Sequence, residues 1–251
     1  MPTSSAIGRV RLIIAMLVIG GLALGLSGFA PQTSRPATPP PPAPSQAAAT
    51  KPAASQPVAS APAVAPLVYV QITTNKGNMV LELNHEKAPL SVENFLRYAD
   101  KKFYDNTIFH RVMPGFMVQA GGYGIDKALK PADPAIKNEW RNGLKNTRGT
   151  IAMARFGRQP DSASDQFFIN VVDNAMLDQP NDGAGYAVFG RVVAGMSVAD
   201  AISTVPTHSE GMQANWPNDP VIMQKVERIT AEQATKAMDA EPKQPPATKP
   251  G

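Results

Sequence analysis

Phe109-His110-Arg111-Val112-Met113-Pro114-Gly115-Phe116-Met117-Val118-Gln119-Ala120-Gly121-Gly122 joins one strong cation and one amide to large apolar side chains, with a Pro-Gly break in the middle. Strand-like runs, Ile108 to Met113 and Phe116 to Gln119, flank the break. Side chains alternate along a strand. Phe116, Val118 and Ala120 are therefore expected on one face, and Met117, Gln119 and Gly121 on the other. A glycine before Phe116 can bend the chain and bring both faces near one cleft. A second run, Thr150-Ile-Ala-Met-Ala-Arg155-Phe-Gly-Arg-Gln-Pro-Asp-Ser-Ala-Ser-Asp-Gln166-Phe167-Phe168-Ile169-Asn170, again sets an amide beside aromatics. Taken alone, each run reads as a core strand with satisfied polar residues.

Outward from these runs the same short-strand pattern recurs. Leu67 to Thr74 alternates with Val68, Val70 and Ile72 on one face. Asn75-Lys76-Gly77-Asn78 supplies turn residues and Met79 to Leu83 resumes the alternation, which predicts a β-hairpin. Further strand-like runs are Thr150 to Ala154, Gln166 to Val171, Ala187 to Val193 and Val221 to Ile229. Ala88-Pro89 opens a helical spacing through Val92, Phe95, Leu96 and Ala99, with Pro in the first turn where its missing N–H costs nothing. Val198, Ala201 and Ile202 predict a short helix over Ser197 to Thr204. Many short strands with Gly-rich connections and few helices predict a mainly β, mainly antiparallel barrel with helices at its ends.

Several chemistries are excluded. The chain has no Cys, hence no thiol nucleophile and no disulfide. It has no Gly-x-Ser-x-Gly elbow, Walker loop or dinucleotide fingerprint. His85, His110 and His208 lack metal-ligand spacing. Asp173, Asp178 and Asp182 with Gly183 hint at a calcium loop, but the EF-hand spacing fails and a solvated loop is the better reading. No metal or cofactor is expected.

Together the two runs resemble the signature stretches of the cyclophilin family. The resemblance extends to Asn94-Phe95, Phe103-Tyr104, Asn142-Gly143-Leu144-Lys145-Asn146-Thr147-Arg148-Gly149-Thr150, Tyr186-Ala187-Val188-Phe189-Gly190 and Gly195-Met196. It covers essentially Leu67 to Ile229 and is greatest toward exported isomerases of Gram-negative bacteria. It implies a closed antiparallel barrel of about eight strands capped by two short helices. It also implies a peptidyl-prolyl cis–trans isomerase, which breaks no bond and needs no nucleophile, metal or cofactor.

By the same resemblance Arg111 matches the catalytic arginine. Phe116, Met117, Phe168 and Leu177 correspond to the apolar pocket for the proline ring. Gln119 matches an amide that contacts the substrate backbone or the arginine. Ala154 and Arg155 match the pair lining the neighbouring peptide groove, with Gln166 beside them. Three positions depart from the better-known eukaryotic pattern. Arg155 stands where Asn is usual, Tyr186 where a His often lines the pocket, and Met176 where Trp or Phe is usual. Met has no N–H donor and no rigid ring, so weak cyclosporin binding is expected.

The chain's appendages bear on location. Of 24 basic residues, four precede Leu67 and three follow Thr230, which leaves 17. Of 20 acids, none precede and three follow, which also leaves 17. The globular part is thus neutral, and a basic nucleic-acid footprint is not expected. Arg9 and Arg11 precede an uncharged apolar run, Leu12 to Ala30, as in an export signal or signal anchor, so residues 1–30 are read as one or the other. Basic residues before the run favour an inside N-terminus with the rest outside, in the periplasm, soluble or tethered to the inner membrane. Residues 31–66 hold 11 Pro and 11 Ala in 36 positions and read as a semi-rigid disordered spacer. Residues 67–230 are the isomerase domain and 231–251 a disordered polar tail. The expected partners are X–Pro bonds of flexible exported polypeptides, and a monomer is expected. The alternative is a proline-peptide binding or chaperone module whose turnover is incidental.

Overall fold

A computed structural model of the chain describes residues 66–179, 182–211 and 213–241. Residues 1–30, expected to be an export signal or anchor, most of the expected spacer and the end of the tail lie outside these residues. Strands β1 (Leu67–Thr74) and β2 (Gly77–Asn84) form the expected hairpin, paired from Leu67↔Asn84 to Thr74↔Gly77. Helix α1 (Pro89–Asp100) follows, then β3 (Thr107–Met113), β4 (Met117–Gly124), β5 (Thr150–Met153), β6 (Phe167–Asn170) and β7 (Val188–Ala194). After α2 (Met196–Ser203) come a small hairpin, β8 (Thr207–Glu210) with β9 (Gln213–Pro217), then β10 (Ile222–Ile229) and α3 (Ala231–Ala240). Eight strands close into a barrel in the order β1-β10-β3-β4-β6-β5-β7-β2, every pair antiparallel.

The interior is filled by the inward residues of each strand, among them Val70, Ile72, Leu81, Val112, Val118, Ile151, Phe167, Ile169 and Phe189. Both α1 and α2 add a buried face to this cluster, through Val92, Phe95, Leu96 and Ala199, Ile202. Phe95 packs edge-on to Phe167 at 5.2 Å and lies 5.1 Å from Tyr104 and 5.5 Å from Phe189. Such contacts add to the area burial of each ring. The N-terminus of α1 has no local side-chain cap. Glu139 supplies one from a distant loop, accepting from Leu90 N (3.0 Å), Ser91 N (2.8 Å) and Ser91 Oγ (2.7 Å). Its negative charge also suits the positive end of the helix dipole.

Two elements differ from the sequence reading. The segment after Thr230, expected as a disordered tail, begins with α3, so the described helices number three rather than two. Thr230 and Gln233 close a reciprocal capping box (Gln233 N to Thr230 Oγ1, 3.2 Å; Thr230 N to Gln233 Oε1, 2.8 Å). Ala234, Ala237 and Met238 then pack on Val80, Ala194 and Ile229 of the barrel wall. That stripe is mostly alanine, which is why it reads as polar tail. The β8–β9 hairpin was also not anticipated: Thr207–Glu210 is polar throughout. It docks through Trp216, 3% exposed, against Tyr123 (5.3 Å) and His110 (6.0 Å).

Candidate active site

The antiparallel register writes the site across the outside of the barrel. Arg111 of β3 pairs with Gln119 of β4, Gln119 with Phe168 of β6, Phe168 with Ala152 of β5, and Ala152 with Val188 of β7. Directly paired residues share a sheet face. The sequence neighbours of this row, Val112, Val118, Phe167 and Ile151, belong to the interior cluster instead. A second, smaller cluster therefore forms on the outer face: Met117, Ala152, Phe168 and Val188, with Phe116, Leu144, Ala154, Leu177 and Tyr186 packed on it.

Phe116 reaches this cluster by a turn. Phe116 N donates to Met113 O at 3.1 Å, and Gly115 sits at φ +66°, with Pro114 before it. This is the pattern of a type II turn, Pro then Gly. Phe116 was expected to share a face with Val118 and Ala120, but the turn frees it from that alternation and sends it to the Met117 side. Its carbonyl is held by Val171 N (3.1 Å) and Asn174 Nδ2 (2.8 Å). Further along β4, Gly121 (φ +112°) lets the 163–166 segment cross close above, since a Cβ there would meet Asp165 O at 2.6 Å.

The row of side chains and the flanking loops enclose a shallow cavity of about 90 Å³. Nine of the eleven expected site residues line it: Arg111, Phe116, Met117, Gln119, Ala154, Arg155, Phe168, Leu177 and Tyr186. Gln166 lies in an adjoining depression of about 130 Å³, shared with Gln119 and Ala154, and its Oε1 accepts from Gln119 Nε2 at 2.9 Å. Met176 does not line the cavity and is 67% exposed. Ala175–Leu177 is one 3-10 turn, in which successive side chains diverge by about a third of a turn. Leu177 therefore faces the cavity while Met176 faces solvent.

The two cleft arginines behave differently. Among the described residues, Arg111 has no side-chain hydrogen-bond or ion-pair partner, and it lines the cavity. Arg155 was expected as a groove residue. Its side chain is 1% exposed and paired with Asp182, so what it shows to the groove is main chain. The three acids read as a solvated loop are engaged as well. Asp173 accepts from Arg148 N (2.8 Å), Asp178 from Asn146 N (2.9 Å) and Asp182 from Arg155.

Buried amides behind the pocket went unread in the sequence. Asn170 donates to Asn146 Oδ1 (3.1 Å) and Thr150 Oγ1 (2.9 Å), and Asn174 donates to Asn170 Oδ1 (2.7 Å). Asn146 reaches Tyr186 O (3.2 Å). Such a chain ties the Phe116 turn, β6 and the Tyr186 segment together, and buried amides demand that degree of pairing. The available signal was amides in apolar company, such as Asn170 closing Phe167-Phe168-Ile169. Beside Arg111, His110 is 4% exposed and its Nδ1 has no hydrogen-bond partner among the described residues. Burial pushes its pKa down to about 4, and the Arg111 charge acts in the same direction.

Comparison with known proteins identifies the family. The family model for "Cyclophilin type peptidyl-prolyl cis-trans isomerase/CLD" matches residues 69–228. Peptidyl-prolyl cis-trans isomerase A of Dickeya dadantii is 52% identical over 167 residues, 66% of this chain and 87% of that protein. Peptidyl-prolyl cis-trans isomerase B of Escherichia coli is 49% identical over 160 residues, 62% of this chain and 97% of that protein. A cyclophilin-type isomerase of Cryptosporidium parvum, solved in the presence of the dipeptide Ala-Pro, aligns with TM-score 0.54 at 26% identity, covering 64% of this chain and 99% of that one. With its eight-stranded closed barrel, this chain belongs to the cyclophilin-type peptidyl-prolyl cis–trans isomerase family.

Proposed function

We propose that the cleft accelerates X–Pro rotation by Arg111 donating to the prolyl nitrogen while the outer apolar cluster holds the ring. The barrier, about 20 kcal/mol, comes from amide resonance. In the twisted state the nitrogen regains its lone pair and accepts a hydrogen bond that neither planar state can accept. A donor aimed there lowers the barrier selectively, and each decade of rate needs about 1.4 kcal/mol of such selectivity. The observation that carries this reading is Arg111, half-buried and without a partner among the described residues, beside Gln119 in a cavity lined by the outer apolar cluster. A guanidinium stays protonated and presents directed donors. Phe116, Met117, Phe168 and Leu177 would take the ring, and Gln119 with the Ala154–Arg155 main chain would hold the flanking peptide. The Cryptosporidium relative, solved with Ala-Pro, supports a ligand of this size.

The test is Arg111→Ala in a protease-coupled or NMR exchange assay. Turnover should collapse while peptide binding persists. Wild-type turnover would overturn the assignment, and rescue of client folding by the inactive variant would favour a binding or chaperone role.

The same proposal places the domain outside the cytoplasm, assisting the folding of exported proteins. Its support is the charged start and apolar run ahead of a Pro-rich spacer. N-terminal sequencing of the mature protein decides between forms. A start near Leu26 or Pro31 means a soluble periplasmic enzyme, and an intact Met1 or Pro2 a tethered one.

A further inference from the structure

Arg155 spends every donor it has. Nε donates to Gly185 O (3.1 Å), and Nη1 to Asp182 Oδ2 (3.0 Å) and Phe156 O (3.1 Å). Nη2 donates to Asp182 Oδ1 (2.9 Å) and to Ala184 O. A guanidinium has five N–H groups, so none is left for a substrate. Four of the five bonds end in the segment 182–185, which leads directly into Tyr186. The guanidinium carbon also lies 4.5 Å from the centroid of the Tyr186 ring, stacked on it. The same ring stands edge-on to Phe168 at 5.6 Å, and Tyr186 N donates to Leu177 O at 2.9 Å. The carboxylate of Asp182 is fixed in turn by Arg158 N at 3.1 Å. Arg155 thus acts on the cavity through the wall it holds.

We infer that Arg155, clamped by Asp182, is a positioning residue that sets the width of the proline pocket by locking Tyr186 against Phe168, and so selects the five-membered ring over larger cyclic imino acids. The inference rests on the cavity being the proline pocket. Lysine keeps the charge but has three N–H donors and no planar fork, so it cannot make the five bonds to Asp182 and three carbonyls. Loosening the wall therefore acts on ring binding and leaves the Arg111 step intact. A purely structural role would lower stability without altering which ring is preferred.

The experiment measures kcat and KM by NMR exchange on paired peptides carrying proline or its six-membered homologue, pipecolic acid. The proteins are wild type, Asp182→Asn, Arg155→Lys, Tyr186→Leu and Arg155→Lys with Tyr186→Leu. Asp182→Asn is nearly isosteric and carries the test if Arg155→Lys does not fold. Each single variant should raise KM for the proline peptide about fivefold, with kcat close to wild type. The preference for proline over pipecolic acid should fall by a similar factor. The double variant should be no worse than Tyr186→Leu alone, because both act through one ring. Exchange of the Arg155 Nη protons, which donate to Asp182, should quicken in Asp182→Asn, while Nε–H keeps its bond to Gly185 O. Unchanged KM and ring preference in folded Asp182→Asn would overturn the inference, as would additive effects in the double variant. If Phe168→Ala also leaves KM unchanged, the fault lies in the pocket assignment and not in Arg155.

Discussion

Arg111 and Arg155 line the same cavity and are opposites. Arg111 stands on a barrel strand, half-buried and without a partner among the described residues, while Arg155 is sealed beneath a loop with every donor used. Residue type alone does not separate them. A cation held rigidly by β3 with its donors idle is poised for a ligand, because nothing inside the protein competes for it. A cation satisfied by five internal acceptors is part of the frame. The contrast teaches that unsatisfied bonding capacity singles out Arg111 for the proposed role, and satisfied capacity makes Arg155 part of the frame.

The contrast breaks most plainly under alanine substitution. Arg111→Ala should cost about 100- to 1,000-fold in kcat/KM, roughly 3–4 kcal/mol, the scale of one preorganised donor. Its melting temperature should stay near wild type, since no internal bond is lost. Arg155→Ala should cost less activity and more stability. It strands Asp182 and three carbonyls, and its melting temperature should fall further than that of Arg111→Ala. Paired calorimetry and exchange kinetics check both. Equal melting losses in the two variants would remove the distinction.

His110 sharpens the comparison, being buried as Arg155 is yet unpartnered at Nδ1. Its pKa in the folded protein is about 4, against an ordinary 6.5. Between those values the unfolded chain binds the proton and the folded one does not. Stability is therefore full above about pH 6.5 and falls as pH drops toward 4, by about 3 kcal/mol if no other group intervenes. His110→Phe keeps a ring against Tyr123 and Trp216 and cannot titrate. Urea unfolding at pH 7 and pH 4.5 should show a large drop in wild type and a much smaller one in the variant. The same slope in both would mean that the drop belongs to the carboxylates.

The barrel was legible because its strands alternate and its turns carry Gly, Pro and Asn. The site residues came from the resemblance to the family and not from residue types alone, and the cavity gathers nine of them. What stayed hidden depends on partners far along the chain. Glu139 caps α1 through Leu90, 49 residues earlier. Asp182 finds Arg155 at a separation of 27, so an acid that reads as solvated loop becomes a clamp. Periodicity reports only neighbours within a turn or a pleat. Phe116 departs for a more local reason, since a tight turn breaks the two-residue alternation that sets its expected face, and Met176, named by the resemblance alone, is turned outward by a 3-10 turn.

The smallest expected effect is a control on the two arginines, placed where neither acts. Helix α3 packs on the wall formed by β1, β2, β7 and β10, through Val80, Ala194, Tyr69, Val193 and Ile229. Its start depends on the Thr230 hydroxyl, and Glu241 at its end accepts from Gly195 N, at the entry to α2. Thr230→Ala removes one half of the capping box and should cost about 1 kcal/mol. Amide exchange in α3 should quicken first, because a helix of 10 residues burying chiefly one alanine completely has little else to hold its first turn. Isomerase kinetics should be unchanged. If kcat or KM moved with this cap, the barrel wall would be transmitting strain to the cleft. The site could not then be described as an unpartnered cation on a rigid strand.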